Sequence, residues 1–173
     1  VGGFTFARWM HFEEGYTSWR RIFVDYSSHS SGAWYLTAKS GTHHVSQYFH
    51  SAGDIRPTSS STANDIDYNK WQLVVATGTP TGFTQIYVID ADEVLSQTNL
   101  PQFVNTNQTQ TATNSIHFKH MTENGGSLGH PAGWIGDTYM YNKELTQEEV
   151  FNLWNATSNK YKRMLIESTV REF

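Results

Sequence analysis

Gly136 to Trp154 reads "GDTYMYNKELTQEEVFNLW" and changes period partway along. Up to Tyr141 the residues alternate as in a strand, and from Gln147 the apolar positions recur as on a helix. Asn142 and Lys143 supply a turn between the two. Thr146 with Glu149 three residues on has the form of a capping box, in which each residue satisfies the other's amide at a helix start. Leu145 precedes the cap as a staple, Glu148 and Glu149 suit the positive end of the helix dipole, and Val150, Leu153 and Trp154 form one apolar stripe. The spacing predicts a short helix of about eight residues, marginal alone, and therefore a plug packed over an open edge or end of a sheet structure.

Working outward, the rest of the chain is strand-like. "FTFARWMHF" (Phe4–Phe12) alternates Phe4, Phe6, Arg8, Met10 and Phe12 against Thr5, Ala7, Trp9 and His11, with Arg8 the discordant member of an apolar face. An isolated buried guanidinium is too costly, so Arg8 is expected to meet a carboxylate or reach solvent at a sheet edge. "RRIFVDY" (20–26), "AWYLTA" (33–38) and "HVSQYFH" (44–50) follow between turn signals. "RPTSSSTAND" (56–65) reads as a polar loop before "KWQLVVATG" (70–78) and "FTQIYVID" (83–90). "NTNQTQTATN" (105–114) reads as a second surface loop, before "SIHFKH" and the glycine-rich stretch that leads into "WIGDTYMY". About eight short strands with one terminal helix describe an all-β antiparallel sandwich or jelly roll.

Composition agrees. Aromatics at 14% and charged residues at only 16% suit half-buried pleated surfaces. The net charge of −4 gives no long-range attraction for polyanions, so nucleic acid is not an expected partner. There is no cysteine, hence no disulfide or thiolate metal site, and no apolar run of membrane-spanning length. The chain opens on Val1 rather than Met, as expected for a processed protein or a piece of a longer one. Its 173 residues suit one domain, taken as 1–158 with a C-terminal extension over 159–173.

Three segments carry a family resemblance: "FTFARWMHF" with Trp9; "NKWQLVVATGTPTGFTQIYVID" through Trp71, Val74, Thr77, Tyr87 and Val88; and "WIGDTYMYNKELTQEEVFNLWNAT" through Gly136, Tyr141, Asn142, Lys143, Leu145, Thr146 and Glu149. The sequence resembles the laminin G-like (LamG) domains of the concanavalin A-like lectin/glucanase superfamily, in the form found in phage structural and bacterial surface proteins. The resemblance implies a jelly roll closed by this strand, turn and helix. Its departures are Arg8 in place of a small apolar residue, Leu73 in place of a frequent His, Ile89-Asp90 in place of an Asp-Gly turn, and a nearly absent strand before Phe4.

The resemblance also sets the chemistries to weigh. Glycoside hydrolysis needs two carboxyl groups about 5–9 Å apart across the scissile bond. No E-x-D-x-x-E strand face is present, and adjacent Glu13 and Glu14 would point to opposite faces. Many relatives bind calcium; Asp65, Asp67 and Asn69 resemble the start of a calcium loop, but Lys70 stands at the required glycine and Ala76 at the required glutamate. That stretch reads first as a polar turn, with Asp65 and Asp67 as candidate calcium ligands. The histidine pairs His43-His44 and His117/His120 diverge on strands and leave no zinc set. Sugar recognition needs exposed rings with polar groups on loops above a rigid scaffold. Tyr16, Trp19, Asn124 and His130 are the candidates, on two loops expected to meet at one rim.

The expectation is a non-catalytic adhesion module that binds a glycan or protein surface, at an extracellular or virion surface, as part of a larger assembly of other chains or domains, without membrane insertion. The alternatives are a purely structural decoration module and, against the carboxylate pattern, a glycoside hydrolase.

Overall fold

The computed structural model describes residues 3–13, 20–25, 34–38, 44–51, 54–79, 82–95, 102–104, 118–119 and 133–170, with side chains over 3–13, 66–78, 85–95 and 133–162. Ten strands and one helix run in the order β1 (Phe4–Phe12), β2 (Arg20–Asp25), β3 (Trp34–Ala38), β4 (His44–Ser51), β5 (Asp54–Asp65), β6 (Trp71–Thr79), β7 (Gly82–Asp90), β8 (Gln102–Val104), β9 (Phe118–Lys119), β10 (Gly133–Tyr141) and α1 (Gln147–Val170). They form two five-stranded sheets, β10-β1-β6-β7-β8 and β5-β4-β3-β2-β9, whose described pairings are antiparallel. This is the antiparallel jelly-roll sandwich with a C-terminal helix that the sequence predicts. One reading is corrected: "RPTSSSTAND" is part of strand β5, paired with β4, and not a loop. Its Ser and Thr residues carry no apolar alternation, so the strand is held by ladder bonds that leave no hydrophobic signature.

The first sheet is apolar on both faces. Phe6, Met10, Phe12, Val74, Ala76, Ile86 and Val88 share one buried cluster with Ile66, which follows directly from β5 of the other sheet; this is the inner face. Arg8 lies on the same face and is only 2% exposed. Its Nε donates to Thr138 Oγ1 on β10 at 2.9 Å, and burial lowers its pKa to about 10. The guanidinium does not reach solvent: the partner described for it is an edge-strand hydroxyl, and it makes further contacts besides.

The outer face carries Ala7, Trp9, Trp71, Leu73, Val75, Tyr87 and Ile89, and α1 covers it with Val150, Trp154 and Tyr161. The helix is thus a lid on a sheet face and not a plug at an edge or end. At 24 residues it is also three times the expected length, continuing unbroken through residue 158. Its start is as predicted: Glu149 N donates to Thr146 Oγ1 at 3.3 Å and Thr146 N to Glu149 Oε2 at 3.0 Å. Buried Thr5 ties β1 to the turn before it, accepting from Leu145 N at 2.8 Å and donating to the Lys143 carbonyl at 2.9 Å.

Further along, Trp154 Nε1 donates to the Asp90 carbonyl at 2.9 Å and Trp9 Nε1 to Thr157 Oγ1 at 3.0 Å. Tyr161 stacks on Trp9 with centroids 4.4 Å apart and leans on Trp71 at 4.8 Å. Its hydroxyl accepts from Asp137 N at 2.7 Å, at the point where the β1–β10 register slips between the Arg8 and Met10 pairs. Gly136 permits this approach, because a Cβ there would fall 2.5 Å from the Tyr161 hydroxyl. Lys160 then holds the Asp137 carboxylate through both oxygens, at 2.9 and 2.7 Å, and that bond draws the carboxyl below its ordinary pKa.

Candidate functional site

One end of the first sheet gathers four chain segments. β1 finishes at Phe12, whose register partner is Gly133, the first residue of β10. The backbone there is tight: Gly133 has φ +132°, and a Cβ would lie 1.8 Å from the His11 carbonyl oxygen. The approach to β6 docks on the same point, with Asn69 N donating to the Phe12 carbonyl at 2.7 Å and Tyr68 bridging Phe12 in parallel. Asn69 takes φ +60°, a left-handed turn that Asn tolerates better than most residues. The exit from β7 closes the group, with Ala91 N donating to the Trp71 carbonyl at 2.8 Å.

Across this end runs a row of rings on the outer face. His11 pairs in register with Trp71 on one side and with Trp134 on the other. Trp71, 7% exposed, lies beneath Tyr161; His11 meets it edge-on at 5.6 Å; Trp134 ends the row at the sheet edge with 65% exposure. Burial lowers the His11 pKa, outweighing the opposing pull of the Glu13 charge and of hydrogen bonding to the Asn69 and His11 backbone. Its Nδ1 is buried and has no hydrogen-bond partner among the described residues.

Beside the row sits a polar clamp. Lys70 Nζ bridges Asp67 Oδ2 at 3.0 Å and Asp90 Oδ2 at 2.8 Å. Gln72 donates from Nε2 to Asp90 Oδ1 at 2.6 Å and accepts from Asp67 N at 3.2 Å. The bond to Asp90, then that to Asp67, raises the Lys70 pKa. Burial outweighs the Lys70 and Gln72 bonds at Asp90, so this carboxyl also lies above its usual range. Glu93 is raised too, first by burial and then by the Asp90 charge.

Of the residues singled out in the sequence, Tyr16, Trp19, Asn124 and His130 lie outside the described residues. The structure places the strand ends to which their segments attach: residue 13 follows Phe12, and residue 132 precedes Gly133. Asp65 ends β5, its backbone paired with His44. Asp67 is exposed and its carboxylate is engaged by Lys70, whose ammonium bridges to Asp90 as a cation would. Among the described residues no group of three or more His, Asp or Glu is placed to hold a metal ion. Trp134, His11 and Gln72 were not singled out. Trp134 showed one available signal, a large aromatic next to a glycine at the start of a strand.

The laminin G profile of the concanavalin A-like lectin/glucanases superfamily matches residues 1–151. The chain belongs to this family. Among curated protein sequences none matches this laminin G-like domain. Solved structures share its fold at low identity. The botulinum neurotoxin serotype D binding domain superposes with a TM-score of 0.56 at 11% identity, over 90% of this chain and 36% of that one. The LG1-3 region of the laminin α2 chain gives 0.54 at 12%, over 86% and 30%. A Trypanosoma rangeli sialidase, in complex with 2,3-difluorosialic acid, gives 0.54 at 13%, over 88% and 22%. The laminin G-like domain therefore spans about a third or less of the chains it resembles. No helix among the described residues is long and apolar enough to cross a membrane.

Proposed function

We propose that this laminin G-like domain is a non-catalytic recognition module that meets a glycan surface through the β1/β10 end of its first sheet, as one part of a larger extracellular or virion-surface assembly. The observation that carries the reading is Trp134. A large ring stands 65% exposed on a paired strand, where four chain segments converge. Exposed aromatics beside polar groups on a fixed scaffold are what a ligand site requires. Two of the similar structures point the same way, one named as a toxin's binding domain and one as a laminin region. The sialidase likeness, at 13% identity over 22% of that chain, is a likeness of fold alone. The carboxylates Asp67 and Asp90 at this end share the single ammonium of Lys70, which bridges them in an ion-paired clamp.

A second reading, a purely structural module, has its own observation. Ile135 and Met140, 45% and 51% exposed, lie on β10, an edge strand of the first sheet. Apolar edges invite pairing with another chain. The register slip and the Asp137–Lys160 ion pair on the same strand work against it, since bulges and edge charges are the usual protection. A printed glycan array, probed in calcium and again with a chelator, tests the first reading and reports on calcium together. Binding to a defined subset of glycans supports recognition, and loss of that binding with chelator assigns it to calcium. Silence across the array under both conditions favours the structural module.

A further inference from the structure

We propose that Trp134 and His11 form a subsite for a hydroxylated sugar ring, with the ring stacked on the Trp134 indole and one of its hydroxyls hydrogen-bonded to His11 Nδ1. The proposal rests on the recognition reading above and assigns it residues. Two independent observations meet here: an exposed indole, and one strand away on the same face a buried ring nitrogen with no hydrogen-bond partner among the described residues. Directly opposed side chains on neighbouring strands lie about 5 Å apart at Cβ, close enough for one ligand ring to touch both.

The unpartnered nitrogen favours a hydroxyl over other groups. A buried polar atom without a partner is uncommon and disfavours the empty state, so a ligand that supplies the partner gains by it. In neutral imidazole Nδ1 is a donor or an acceptor according to tautomer, and a hydroxyl complements either. A carboxylate complements only the donor form. An apolar peptide side chain covers the indole but leaves Nδ1 as it was. Nδ1 is buried in the free domain, so a hydroxyl reaches it through a local side-chain rearrangement, a common event on binding. The rest of the row is fixed: Trp71 is held by Tyr161, and His11 is braced against Trp71.

The test is the same printed array of neutral, sialylated and bacterial-surface glycans, probed with the wild-type chain and with Trp134→Ala, Trp134→Phe, His11→Gln and Met140→Ala. Thermal midpoints of the Trp134 and Met140 variants should match wild type, because both side chains are exposed. The expected result is that Trp134→Ala weakens every positive glycan by about tenfold or more, as loss of a stacked ring would. Trp134→Phe should keep most of the binding and Met140→Ala all of it. His11 Nδ1, followed by nitrogen-15 NMR, should shift when the strongest array glycan is added, a change that a merely supporting role would not produce. If wild type binds and Trp134→Ala binds equally well, the subsite is wrong and the recognition reading stands. If wild type is silent on the array, both fail. If Met140→Ala loses binding and Trp134→Ala does not, the contact is the β10 edge and the subsite is overturned.

Discussion

Tyr161 decides whether the second half of α1 is part of the packed structure, and its contributions separate cleanly. Replacing it with Phe keeps the stack on Trp9 and Trp71 but leaves the Asp137 amide without its acceptor at 2.7 Å. Loss of one partner from a buried pair costs about 1–3 kcal/mol. Replacing it with Ala also removes a fully buried ring, and large-aromatic truncations cost about 3–5 kcal/mol. Urea unfolding followed by tryptophan fluorescence reads both, since Trp9 and Trp71 report directly on the contact. With a slope of about 1–3 kcal/mol per molar, Tyr161→Phe should lower the midpoint by roughly 1 M and Tyr161→Ala by about twice that. Truncation after residue 158 should cost at least as much as Tyr161→Ala, because it removes the same ring together with the Lys160–Asp137 pair. If Tyr161→Ala unfolds within 0.5 kcal/mol of wild type, roughly the noise of a surface substitution, the helix is not docked over the sheet beyond Ser158 and the two-faced packing of the first sheet is wrong.

The remaining predictions are smaller. Thr146→Ala should cost about 1 kcal/mol by the same assay, the ordinary worth of an N-cap, and an unchanged midpoint would place the helix start elsewhere. His11 should make folding acid-sensitive. Its folded pKa is lowered, so as pH falls below about 6.5 the unfolded chain takes up the proton first, and stability is lost from there down through the folded pKa. His11→Gln should flatten the difference in melting temperature between pH 7.5 and pH 5; an unaltered pH slope would mean that His11 protonates as readily folded as unfolded.

Much of the fold was legible because it rests on local chemistry. The Thr146–Glu149 box lies within one turn, and the alternation of β1 records two faces that are both buried. The helix length was hidden because Asn155, Thr157, Ser158 and Asn159 are weak helix formers. Tertiary contacts override them: Thr157 Oγ1 donates back to the Leu153 carbonyl at 2.7 Å and accepts from Trp9, and Ser158 is buried. β5 was hidden because from Arg56 to Asp65 its sequence is mostly polar and carries Pro57, which reads as a strand breaker. The site was less legible still. Trp134, His11 and Trp71 are distant in sequence and become a row only through the β10-β1-β6 order, which no spacing records. Lys70 reads in sequence as the residue that breaks a calcium loop, and its bridge between Asp67 and Asp90 is visible only once β6 and β7 pair.

The most direct test of recognition through this end of the sheet is amide hydrogen exchange on the domain alone and with the strongest glycan from the array. Added protection at residues 11–13, 67–70 and 133–135, where Phe12, Asn69 and Gly133 meet, is the predicted result. Protection confined to 138–141 of the β10 edge, or to α1, would contradict it.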